Sequence, residues 1–163
     1  VHGEALHGEA APAWAHWLEA SALGVMAREG AWAYPIANGL HVIGIAVLFG
    51  AILAFDLRAL GAAGRAVPLA AAAGLLLPLA RAGFALAVAT GFVLLAADAS
   101  HVVENPAFQA KVALIALALA NVLLFHWLGP IDRPPGAALR LSAAASIALW
   151  TAVLGCGRLI AYL

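Results

Sequence analysis

Long apolar runs free of charge limit what this chain can become more than any other feature. Ile36 to Phe55 reads IANGLHVIGIAVLFGAILAF, with Asn38 and His41 as its only polar side chains. About 20 apolar residues in a helix cross a hydrocarbon core about 30 Å thick. Lipid offers backbone amides no hydrogen-bond partners, so a spanning segment is a helix or a strand of a closed barrel. A barrel strand needs only about ten residues. The runs in this chain are far longer, and the helix is the remaining choice.

Four such runs follow one another. The first is about Tyr34 to Leu60, and the second lies within Val67 to Ala97. The third is about Phe108 to Leu128, and the fourth about Ala137 to Leu163. The turn Gly61 to Gly64 reverses the chain after the first, and Gly129 to Gly136 (GPIDRPPG) breaks it after the third. Pro78 kinks the second run or marks where a preceding interfacial piece ends. Ahead of the spans stands a polar tail, residues 1–10, in which His2 and Glu4 repeat as His7 and Glu9. Residues 11–30 read as an amphipathic helix along the interface, with Trp14, Trp17 and Leu18 against His16, Glu19 and Arg28. The expected fold is all-α: an integral membrane four-helix bundle over 31–163 with an N-terminal interfacial helix.

Composition agrees and removes several function classes. Hydrophobic residues make up 66% of the chain and charged ones 10%, against about 25% charged in a soluble domain. The formal net charge is zero, so nothing in the charge favours nucleic acid. The single cysteine, Cys156, excludes an intrachain disulfide and covalent c-type haem attachment. Glycine-rich phosphate loops are absent. A redox centre would therefore rest on histidine.

Arginine and lysine placement sets the orientation. Arg58, Arg65, Arg133 and Arg140 share the face with loops one–two and three–four, while the other face carries Arg28, Lys111, Arg158 and most of the acids. The arginine-rich face is expected to be cytoplasmic in a bacterial inner membrane, with both termini periplasmic. Five of the 6 histidines then collect on the periplasmic side: His2, His7, His16, His41 and His101. His126 stands near the other face, where snorkelling beside Trp127 is its plainer role.

An ionisable side chain within a span is costly and marks a functional site by default. His41 is such a group, and neutral imidazole is the commonest metal ligand. It is read as an axial ligand of haem b, with His101 as the second ligand and His16 next. Gly44, one turn along, would let a porphyrin approach, and Lys111 and Arg158 would hold its propionates. No helix carries two histidines spaced for haems at both faces. The plainer reading of His41 is a packed interface histidine bonded to a carbonyl or to Asn121. Arg81 is expected to pair with Asp56 if the second span begins near Pro78, and Asn121 to bond between helices. The tail histidines His2 and His7 would bind copper or zinc if they bind anything.

The line YPIANGLHVIGIAVLFGAILAFDLRALG with the ending GRLIAYL resembles small bacterial four-helix membrane proteins of uncharacterised function. It is loosely similar to the copper-resistance D and cytochrome b561-like membrane proteins. That resemblance implies a helical bundle with a haem or copper role, and it points to His41 and His126. The expected function is a haem b electron-transfer subunit near the periplasmic face, working with a quinone or a partner subunit in the bilayer. The rivals are a non-catalytic accessory subunit of a larger or self-associated membrane complex, and periplasmic copper or zinc handling.

Overall fold

The computed structural model describes residues 11–127, 136–160 and 162. The polar tail with His2 and His7, and most of the loop at 129–136, lie outside the described residues. Seven helices follow in order: α1 (Ala13–Ala20), α2 (Ala22–Glu29), α3 (Ala33–Leu60), α4 (Leu69–Ala97), α5 (Ala99–Glu104), α6 (Pro106–Trp127) and α7 (Ala137–Leu159). Four of them, α3, α4, α6 and α7, are long and apolar enough to cross a membrane. This is a multi-pass helical membrane protein. Large apolar side chains such as Val42, Leu75, Phe92 and Leu123 point outward, as a lipid solvent allows.

Local chemistry accounts for the helix ends. Gly61 and Gly64 adopt left-handed φ of 75° and 62°, which an L side chain resists. Their turn joins α3 to α4 at the end of the bundle that carries Arg58, Arg65 and Arg140, called here the arginine end. At the other end Asn105 caps α6, its Oδ1 accepting from the Ala107 N–H at 2.9 Å. Pro106 follows as the first helical residue, where its missing N–H costs nothing.

Pro78 neither ends α4 nor starts it. The helix runs through it for 29 residues, so Arg81 stands twelve residues in, about 18 Å from the start of α4 at 1.5 Å per residue. The expected Arg81–Asp56 pair is not formed. Arg81 is exposed and its Nε turns back to the Leu77 carbonyl at 3.3 Å, whereas Asp56 is buried inside the bundle.

The interfacial segment also differs from expectation in being two helices. Ser21 breaks it, and its side chain caps α2 by accepting from the Gly24 N–H. The segment from Ala97 to Ala107, expected as a loop, contains α5. Together α1, α2 and α5 form a cap on the ends of α3, α4 and α6. Its small core is Ala15, Leu18, Ala96 and Ala99. Arg28 donates to the carbonyl of Ala97, the last residue of α4, at 3.2 Å, which suits the negative end of that helix. Trp14, Trp17 and Trp32 stay exposed around the cap, where a headgroup layer accepts indoles.

Inside the bundle α3 lies against α4 and α7, and α6 lies against α7. The α3–α4 approach is backbone to backbone. A Cβ on Gly83 would stand 2.5 Å from the Leu48 nitrogen, and one on Gly44 2.7 Å from the Ala87 nitrogen. Gly44 thus serves helix packing rather than the approach of a ligand. The rest of the core is small and aliphatic side chains with two aromatic pairs: Phe55 meets Phe125 edge-on at 5.4 Å, and Phe84 meets Trp150 at 6.3 Å.

Gly83→Ala should force the two helices apart and cost about 1–3 kcal/mol, the usual range for overpacking. Gly74→Ala, where nothing lies within 4 Å, should be neutral or gain up to about 1 kcal/mol of helix propensity. Unfolding of the two variants in detergent separates these outcomes. In the cap, Glu19 accepts from the Ser100 N–H and hydroxyl, both at 2.7 Å. Those bonds, the backbone one first, hold its carboxyl below the usual 4.5. The tie is therefore complete above that ordinary value and lost as pH falls through the lowered one. Fluorescence of the cap tryptophans should change on acidification through that range, and Glu19→Gln should remove the pH dependence.

Candidate functional site

Two polar clusters lie within the bundle. The first surrounds His41, eight residues into α3 from the cap. Its ring reaches across to α4, with Nδ1 at 2.8 Å from the Ala87 carbonyl and 3.3 Å from Thr90 Oγ1. A carbonyl only accepts, so Nδ1 carries the proton. Thr90 donates its own hydroxyl to the Leu86 carbonyl at 2.6 Å. The tautomer is thereby set, and the lone pair is left on Nε2.

The space for the ring comes from Gly91. A Cβ there would stand 2.9 Å from His41 Cε1. Gly91 reads from the sequence only as one of several small helix-packing residues and Thr90 is not singled out, although a hydroxyl beside a glycine is conspicuous in an apolar run. Lys111 of α6 is half-buried, lies along Gly157 of α7, and is near enough for its charge to act on His41. Of the two partners the plainer reading offers His41, the backbone carbonyl is met at Ala87, and Asn121 is not, because it bonds to Ser142.

The other expected site residues lie apart. His101 is exposed on α5. Six residues of α4 separate Gly91 from Ala97, about 9 Å of helix, and α5 begins beyond that. Among the described residues, no hydrogen bond joins His101 to His41. His16 is exposed on α1. Arg158 donates to the Tyr162 hydroxyl at 2.7 Å and sits 5.1 Å above its ring, so its guanidinium is engaged locally. Among the described residues no three His, Cys, Asp or Glu side chains gather as a metal site would require.

The second cluster is at the arginine end. Asp56 of α3 is 4% exposed, and its Oδ2 has no hydrogen-bond partner. Around it stand Asn121 and His126 of α6 and Ser142 and Ser146 of α7. Asn121 and Ser142 form a reciprocal pair: the amide donates to the Ser142 carbonyl at 3.0 Å and accepts from the Ser142 hydroxyl at 3.0 Å. The expected interhelical role of Asn121 is thus met. His126 is exposed, and its Nδ1 lies 2.7 Å from the Val122 carbonyl.

A model of a family of unknown function (DUF6644) matches residues 14–163. The chain belongs to this family. The match takes in the cap, all four spans and both polar clusters. No curated protein and no solved structure matches the chain. The likeness to copper-resistance D and cytochrome b561-like proteins thus has no match behind it.

Nitrogen NMR of the histidine-labelled chain should show His41 protonated at Nδ1 with a basic Nε2. The opposite tautomer would contradict the bond to Ala87. Gly91→Ala should displace the ring and shift that signal, while Gly39→Ala, with nothing within 4 Å, should leave it in place.

Proposed function

We propose that this protein is a membrane-embedded haem b electron-transfer subunit of a bacterial inner membrane, with α1, α2 and α5 on the periplasmic side. The observation that supports it is the state of His41: Nδ1–H bound to a backbone carbonyl, with the lone pair on Nε2. That is the arrangement a carbonyl behind the ring imposes on a ligating histidine, and it raises the basicity of the ligand nitrogen. The reading needs one axial histidine, and the lone pair on His41 Nε2 would supply it. Iron, when bound, supplies the one-electron step, and the protein sets its potential through ligand and burial.

This chain's own residues would divide the work. Ala87 and Thr90 orient the imidazole, and Gly91 leaves it room. Lys111 is the cation placed to meet a propionate, whereas Arg158 is occupied by Tyr162. His101 is exposed on α5 and is left out of this ligand set. Electrons would pass between a periplasmic donor and a quinone or partner subunit in the bilayer.

A second reading draws on the same ring. His41 also ties α3 to α4, and a bond from a packed imidazole to a carbonyl is what a non-catalytic scaffold subunit would use. An absorption spectrum of the chain produced with haem supply separates the two. The electron-transfer reading requires a Soret band and an α-band on dithionite reduction, both lost in His41→Leu and retained in His101→Leu. A wild-type spectrum with neither band ends that reading and leaves the scaffold.

A further inference from the structure

The buried carboxylate at the arginine end is not used by the proposed haem site. Asp56 is 4% exposed, with its Oδ2 unpartnered. A bare carboxylate enclosed in a membrane bundle is expensive unless something neutralises it. Among the described residues, none of the basic side chains at that end does so. Arg58 of α3 turns its Nε to the Val67 carbonyl, Arg65 of the α3–α4 turn to Gly61, and Arg81 of α4 to Leu77. Arg140 of α7 is exposed and does not line the cavity. On α6 the titratable group at this end is His126.

Asp56 lines a cavity of about 50 Å³ with Asn121, Ser142, Ser146 and His126. A water needs roughly 15 Å³ on this measure, so there is room for about three. His126 both lines the cavity and is exposed, which places it at the mouth. Its Nδ1 faces the Val122 carbonyl. Because that carbonyl only accepts, Nδ1 carries the proton and Nε2 is the basic atom.

We propose that Asp56 is an intramembrane proton-binding site, loaded from the arginine face through His126 and water admitted to the cavity. A proton from the aqueous phase adds to His126 Nε2. It then leaves the imidazolium, passes along the water and forms the O–H bond at Asp56 Oδ2. His126 returns to neutral, and the buried carboxylate becomes a neutral acid. The bundle gains one proton on the arginine side with no metal or redox partner involved. The oxygens of Asp56, Asn121, Ser142 and Ser146 would also suit a small hard cation such as sodium, so the experiment must tell the two ligands apart.

The full chain in lipid nanodiscs is titrated while infrared absorption follows the C=O stretch of protonated carboxylic acids. Wild type should show a carboxylic-acid band that titrates and is insensitive to sodium. The band should vanish in Asp56→Asn and return, displaced, in Asp56→Glu, which keeps the acid if the asparagine variant folds poorly. After a pH jump, His126→Phe should slow the appearance of the band. Absence of the band across the titration, or its displacement by sodium, overturns the proton site. An unchanged rate in His126→Phe overturns the entry route. The haem reading is tested by visible absorption, so either proposal can fail without the other.

Discussion

The close approach of α3 to α4 is the contact on which the rest depends. Water contributes no driving force between helices in lipid, so association relies on packing and on hydrogen bonds made across small residues. Gly44 and Gly83 bring the two backbones together. At that spacing the His41 ring reaches the Ala87 carbonyl, and Gly91 leaves a hollow for it. A larger residue at either packing glycine would move the imidazole as well as the helices. The geometry of the candidate ligand is therefore a consequence of packing one and two turns away.

The two ends of the bundle solve different problems. The cap end closes with hydrogen bonds between short helices: Glu19 to Ser100, Arg28 to Ala97, Asn105 to the start of α6. It places tryptophans outward for the headgroup layer. At the arginine end Arg58, Arg65 and Arg81 turn to local carbonyls, and no described cation meets Asp56. Polar groups in the described interior thus fall into two classes. His41, Asn121 and Ser142 have partners on a neighbouring helix, and the Oδ2 of Asp56 and the Nε1 of Trp150 have none. An unmet group among satisfied neighbours carries more information about function than the satisfied ones do.

Much of the fold was legible because a membrane restricts the choices. Run lengths and glycine–proline breaks placed the four spans to within a few residues, and the backbone hydrogen-bond requirement made them helices. Local rules failed where tertiary contact decides. Ser21 splits the interfacial segment because α1 and α2 must seat on different neighbours. Pro78 reads as a boundary, but the helix passes through it. Arg81 and Asp56 look like partners until the helices are rotated into place, which leaves the arginine outside and the carboxylate inside.

Residue types and spacing alone determined that the chain crosses a membrane as helices, that His41 is a costly intramembrane group and that Asn121 bonds between helices. Only the tertiary structure decided that Gly44 packs against Ala87 of α4 and that Thr90 and Gly91 hold the His41 ring. It alone showed that Asp56 shares a cavity with Ser146 and His126. The reason is geometric: hydropathy reports whether a segment enters lipid, but rotation about each helix axis selects which side chains meet, and that rotation is set by close contacts between residues far apart in the chain.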